Sequence, residues 1–149
     1  MQVPSEELTG EDLELVELAR QIIDANTDDD DKVHTVGAAV RAADGQMYGG
    51  VNLAHFTGGP CAELVALATA RASGARKLST IVAVGNHGRG LLSPCGRDRQ
   101  VMFDYYPDIQ VILPTAEGAR KVRIRDLMPL AFVWKAVEDD AASEPPVSE

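Results

Sequence analysis

Apolar residues Leu15, Leu18, Ala19, Ile22 and Ile23 recur at intervals of three and four behind Thr9-Gly10-Glu11-Asp12, a stretch with the form of a capping box. This spacing predicts a helix with one inward face, running to about Ala25. The acidic run Asn26–Lys32 reads as a solvated loop. Thr35–Arg41 then reads as a strand, Asp44-Gly45 as a hairpin turn, and Gln46 to about Leu53 as the returning strand. After the loop Leu53–Gly59, Pro60 suits the first turn of a second helix. Ala62, Leu64, Val65, Leu67 and Ala68 give that helix a buried face that ends before Gly74.

The pattern then changes to unbroken apolar runs. Ser79–Gly85 has the character of a central strand covered on both faces. The glycine-rich segment Asn86–Leu92 reads as a loop leading to Ser93-Pro94-Cys95, which starts a helix that reaches about Tyr105 and stops at Pro107. Ile109–Leu113 is a further buried strand, Thr115–Gly118 a turn, Val122–Ile124 a short last strand and Arg125–Leu130 a short helix. The elements predict an α/β fold, a three-layer α/β/α arrangement around a mixed five-stranded sheet. Residues 1–137 form one domain, and the acidic, proline-containing segment 138–149 reads as a disordered tail.

Composition narrows the partners. A chain of 149 residues is long enough for one hydrophobic core. Its formal charge of −9 leaves no basic stripe to neutralise phosphates, which argues against nucleic acid and leaves a small-molecule ligand. No apolar run has the length of a membrane span, and MQVPSEELTG lacks the regions of a signal peptide, so a cytoplasmic location is expected, with no membrane partner. In that reducing compartment two cysteines at helix starts point to metal binding or catalysis rather than to a disulfide.

The chemistry-bearing residues fall in two loops, FTGGPCAE (Phe56–Glu63) and SPCGRDRQ (Ser93–Gln100). Each breaks on a proline and places a cysteine where a helix begins. Both helices adjoin a buried strand, so the two thiols can converge at the strand ends, and a helix N-terminus favours the thiolate. Glu63 follows Cys61 by two residues, and Asp98 follows Cys95 by three. Cysteine, a nearby glutamate, a second cysteine and a further ligand three residues on is how zinc deaminases assemble a metal site.

Val36-Gly37-Ala38-Ala39-Val40, Val51-Asn52, Cys61-Ala62-Glu63 and Pro94-Cys95-Gly96 resemble the cytidine deaminase family, with longer similar stretches at His55–Val65, Ile81–Arg97 and Val133-Trp134. The resemblance covers roughly Val33 to Trp134. It implies a zinc-activated water attacking C4 of a cytosine ring with loss of ammonia. Cys61, Cys95 and Asp98 would hold the metal, and Glu63 would carry protons from the water to the ring nitrogen and the leaving amine. It also implies a homo-oligomer, a tetramer in much of the family. Asn52, His55, Phe56, Ala62, Arg89 and Trp134 are the substrate-binding candidates.

Two positions depart from the family pattern. Asp98 stands where the family has a third cysteine. A carboxylate keeps the charge of the ligand set and is an acceptable zinc ligand, though a harder and less donating one; the other reading is an aspartate that does not ligate. The family's Asn-x-Glu pair, which holds ribose hydroxyls, is here Asn52 and Ala54. Other side chains carry two readings each. His55 and Phe56 line a pocket or pack a loop, Arg89 touches substrate or solvent, and Arg97 and Arg99 support the ligands or form surface ion pairs. His34 and His87 sit at a strand edge or in a loop, and Trp134 packs the C-terminal segment or covers the site. The leading function is hydrolytic deamination; the alternative is a nucleobase-binding module without turnover. A redox pair of Cys61 and Cys95 would leave Glu63 unexplained.

Overall fold

The computed structural model describes residues 2–133. Trp134 and the segment 138–149 lie outside them. Helix α1 spans Gly10–Ala25, strands β1 Val36–Ala42 and β2 Met47–Val51, helix α2 Ala62–Ala72, strands β3 Leu78–Gly85 and β4 Gly90–Leu92, helix α3 Gly96–Tyr105, and strands β5 Gln110–Thr115 and β6 Gly118–Arg123. The sheet has the order β2-β1-β3-β5-β6, with β4 hydrogen-bonded to β3. Only β3 and β5 are parallel; the other pairs are antiparallel.

Alternation along the central strands divides the core in two. Ala38, Val40, Ile81, Ala83 and Val111 face one side, where Ala62, Ala66, Ala70 and Met102 of α2 and α3 cover them. Ala39, Val82, Val84 and Ile112 face the other, beneath Leu15, Ala19 and Ile23 of α1. The sheet is thus buried on both faces, which explains the unbroken apolar run of β3. The predicted three layers are present.

Helix α1 begins as predicted. Thr9 Oγ1 accepts the Asp12 N–H at 3.3 Å, and Asp12 Oδ2 accepts the Thr9 N–H at 2.9 Å. Asp12, itself buried, also pairs with the half-buried Lys121 of β6 at 2.9 Å, so the cap ties α1 to the sheet edge. Helix α2 approaches β2 as closely as its small residues permit. A Cβ at Gly50 would stand 2.6 Å from the Ala66 backbone nitrogen.

The structure corrects the sequence-based expectation in four places. The sheet has six strands, because Gly90–Leu92 pairs with β3 instead of remaining loop. Three residues are too few to show a period, and the tight turn feeding them rests on the positive φ of His87 (54°) and Gly88 (73°). Strand β6 starts at Gly118, not Val122; its outer half is polar because it forms the sheet edge. The short helix near the C-terminus is a 3-10 turn, Ile124–Leu127. Finally, α2 and α3 begin at Ala62 and Gly96, just after the cysteines that the sequence pattern places in their first turns. Cys61 and Cys95 are their N-caps, and Pro60 precedes the helix.

Candidate active site

The two N-cap cysteines meet where α2 and α3 start. Their Sγ atoms are 3.5 Å apart, and two thiolates on one tetrahedral zinc with bonds of about 2.3 Å would be separated by roughly 3.8 Å. Asp98 completes the cluster: one donor atom from each of Cys61, Cys95 and Asp98 lies within 4.8 Å of the others.

Asp98 owes its position to a second capping box. Its Oδ2 accepts the Cys95 backbone N–H at 3.1 Å, and its own N–H points to Cys95 Sγ at 3.5 Å. The residue is 1% exposed; its Oδ1 is buried and meets no N–H donor, and the Glu63 carboxyl lies close enough to Asp98 for the two acids to share a proton. A buried carboxylate oxygen left unpaired is costly unless a cation or proton meets it. The donor set therefore fits a divalent metal: two soft sulfurs, one hard oxygen and an unmet charge.

The neighbouring groups show the same crowding of acids. Burial pushes the Cys61 thiol up to about 12, assisted by Cys95 and Asp98; Arg97 opposes the shift. The Arg97 guanidinium donates to Gly59 O at 2.6 Å and reaches Cys61 Sγ at 3.8 Å. Arg99 turns back instead, donating to Pro94 O at 3.0 Å. Glu63, in the first turn of α2, is buried; burial first and Asp98 second raise its carboxyl to about 8. Such a group exchanges a proton near neutral pH, as a general acid and base must.

Cys61, Glu63, Cys95 and Asp98 share one cavity of about 290 Å³, lined also by Val36, Asn52, Leu53, Ala54, Gly59, Pro60, Ala62, Leu92 and Ser93. A larger cavity of about 350 Å³ lies between the N-terminal segment and the β5–β6 hairpin, but Glu117 is the one ionisable side chain on its wall. The chemistry is in the smaller cavity.

A search against family models finds no match. Blasticidin-S deaminase from Bacillus cereus is 33% identical over 134 residues, spanning 84% of this chain and 94% of that protein. The chain belongs to the cytidine deaminase family. Cytidine deaminase from Mycobacterium tuberculosis is 33% identical over 99 residues, 65% of this chain and 71% of the relative. The crystal structure of cytidine deaminase from Burkholderia pseudomallei superposes with a TM-score of 0.65 at 32% identity, covering 84% of this chain and all (100%) of that one. The chain is accordingly a hydrolytic deaminase.

Against this family membership the substrate-binding candidates divide. Asn52 and Ala62 line the cavity beside Cys61 and Glu63. His55 and Phe56 do not; their rings lie 4.5 Å apart on the outside of the loop, with Phe56 95% exposed. Arg89 is also outside the lining, folded onto its own turn by bonds to Thr35 O (2.6 Å) and Asn86 Oδ1 (3.1 Å). His34 binds Asn52 O through Nδ1 at 2.8 Å and serves the loop. Trp134 falls outside the described residues. Val36 and Leu92 are lining residues that sequence reasoning missed. Both sit on strands whose ends reach the site only through β1–β3 and β3–β4 pairing, which leaves no local signal.

Proposed function

We propose that the chain deaminates a cytosine-ring substrate by hydrolysis, releasing ammonia, with zinc held by Cys61, Cys95 and Asp98. The observation that carries this reading is the buried Asp98, whose Oδ1 meets no donor, clustered with two thiols in the same cavity as the Glu63 carboxyl. Zinc bound in such a site lowers the pKa of its water towards 7 and so supplies a nucleophile at neutral pH.

The chain's own groups do the rest. Glu63 takes one proton from the attacking water and passes it to the ring nitrogen. It then takes the second from the new hydroxyl on C4 and passes it to the departing amine, so that ammonia leaves and a carbonyl remains. Its burial excludes bulk water from that transfer. The N-terminal ends of α2 and α3 stabilise the thiolates, and Arg97 balances part of their charge. Asn52 fixes the wall opposite: its Oδ1 accepts the Thr35 and Val36 N–H groups at 2.7 and 2.9 Å.

In this reading the protein works in the cytoplasm as a homo-oligomer on a small-molecule substrate. Leu53, Phe56, Leu130 and Phe132 are exposed apolar side chains that assembly would cover. The test is ammonia release from cytidine, cytosine and blasticidin S together with metal analysis of the same protein sample. Stoichiometric zinc with ammonia from at least one compound supports the proposal; a metal-replete protein that releases none from any of them refutes it.

A further inference from the structure

Two thiols in contact can react with each other as well as share a metal. Cys61 Sγ and Cys95 Sγ lie 3.5 Å apart, and the chain contains two cysteines in all. A disulfide joins sulfurs at about 2.05 Å, so the pair has to close by about 1.5 Å, within the swing of each sulfur about its own Cα–Cβ bond. Both cysteines are N-caps with extended backbone, φ −66° and ψ 154° at Cys61, φ −69° and ψ 170° at Cys95. Neither helix has to unwind for the bond to form. Cys95 is exposed and Cys61 half-buried, and both line the cavity. An opening that admits a cytosine ring also admits a hydroperoxide, whatever surface an assembly covers elsewhere.

Asp98 simplifies the outcome. A third thiol at its place would stay free to exchange with any disulfide formed by the other two. With a carboxylate there, each sulfur has one partner and the pair has one intramolecular product. The carboxylate is also the harder, less donating ligand, so zinc is held less firmly than by three thiolates. Once the sulfurs are joined, Asp98 is the one charged donor left in that cluster. Metal binding and the disulfide therefore exclude each other.

We propose that Cys61 and Cys95 form a reversible oxidation site, at which a hydroperoxide joins the two sulfurs and expels the metal. The Cys95 sulfur attacks one oxygen of hydrogen peroxide; the O–O bond breaks, giving a sulfenic acid and one water. The Cys61 sulfur then attacks the Cys95 sulfur. The S–O bond breaks, and the hydroxyl leaves with the Cys61 proton as a second water. Two thiols are oxidised to one disulfide while one peroxide is reduced to two waters. A dithiol reductant reverses the change by exchange through a mixed disulfide. This chemistry lies outside turnover, which uses Glu63, and in the proposed function it suspends deamination until the thiols return. Loss of metal rests on the proposed ligand set, whereas the disulfide rests on the sulfur geometry alone.

The test treats the full-length protein, metal-free and zinc-loaded, with one equivalent of hydrogen peroxide and afterwards with excess dithiothreitol. Metal-free protein is expected to lose both titratable thiols together, with a fall of about 2 Da in intact mass and no covalent dimer on a non-reducing gel. Zinc-loaded protein is expected to release its ion to a chromophoric chelator in step with thiol loss. Dithiothreitol is expected to restore both thiols and zinc binding. A mass gain of about 16 or 32 Da, a disulfide-linked dimer, or thiols that survive about a tenfold excess of peroxide overturns the oxidation site. Zinc that stays bound under that excess overturns the expulsion of metal. None of these readouts uses a substrate, so a lack of ammonia release would strike the proposed function and not this site.

Discussion

Asp98 and Cys95 hold each other: the carboxylate Oδ2 accepts the Cys95 N–H at 3.1 Å while the Asp98 N–H points to Cys95 Sγ at 3.5 Å. This reciprocal cap fixes one aspartate oxygen and leaves the other buried without a donor, while Asp98 lies in one cluster with Cys61 and Cys95. Asp98→Ala is expected to lose zinc as fully as a cysteine variant, and Asp98→Cys to bind it more tightly because thiolate is the softer donor. Competition with a chromophoric chelator measures both. Full zinc with unchanged affinity in Asp98→Ala would remove Asp98 from the ligand set.

Cys61→Ala and Cys95→Ala each delete a soft donor and leave the remaining acidic groups crowded around the buried Asp98. Metal content is expected to fall, and the midpoint of thermal unfolding with it, since binding energy at such a site also stabilises the fold. Zinc analysis beside a melting curve, with and without chelator, checks both effects. Equal metal content in both variants and wild type would place the metal elsewhere.

Glu63→Gln preserves the shape of the first turn of α2 and removes the titrating carboxyl. Ammonia release is expected to fall by about 10²–10⁴-fold, the usual contribution of a general acid and base, with zinc content retained. Turnover near that of wild type would reassign the proton shuttle.

Asp12 joins α1 to β6 through Lys121, and its replacement by alanine strands a half-buried ammonium and breaks the Thr9 cap. A destabilisation of about 3 kcal/mol is expected at pH 7, readable by urea unfolding. The effect should depend on pH. Burial alone would raise the Asp12 carboxyl, but the Thr9 backbone N–H and Lys121 outweigh it and hold it below the usual carboxylate range. A depressed folded pKa gives stability that is complete above the unfolded value, near 3.9, and is lost as pH falls through the folded one. The gap between wild type and Asp12→Ala should therefore narrow below about pH 4; a gap constant down to pH 2 would contradict the ion pair.

Gly50→Ala inserts a methyl group against the backbone of α2, 2.6 Å from Ala66 N and 2.9 Å from the Val65 carbonyl carbon. The helix carrying Ala62 and Glu63, with Cys61 at its cap, has to shift away from β2. Overpacking of this kind costs about 1–3 kcal/mol, and zinc affinity should weaken with it although no ligand is altered. Unchanged melting and metal binding would show that α2 tolerates the displacement.

Much of this protein was legible along the chain. The period of α1 and its Thr9–Asp12 cap, the Asp44-Gly45 hairpin and the apolar run of β3 are local patterns, each imposed by which faces are buried. The same holds for the pairing of Cys61 with Glu63 and of Cys95 with Asp98, because residues two or three apart at a helix start have a fixed relation whatever surrounds them. Tertiary structure decided what depends on distant partners. Strand β4 exists only because β3 offers it hydrogen bonds, and three residues carry no period of their own. Val36 and Leu92 reach the cavity by strand pairing, whereas His55, Phe56 and Arg89, close to the motifs in sequence, are turned away by a loop contact or a turn. Asp98 shows the division within a single residue. Its place three after Cys95 is set by the sequence, but burial to 1% and the lack of a donor for Oδ1 arise only when α2 and α3 close over the sheet.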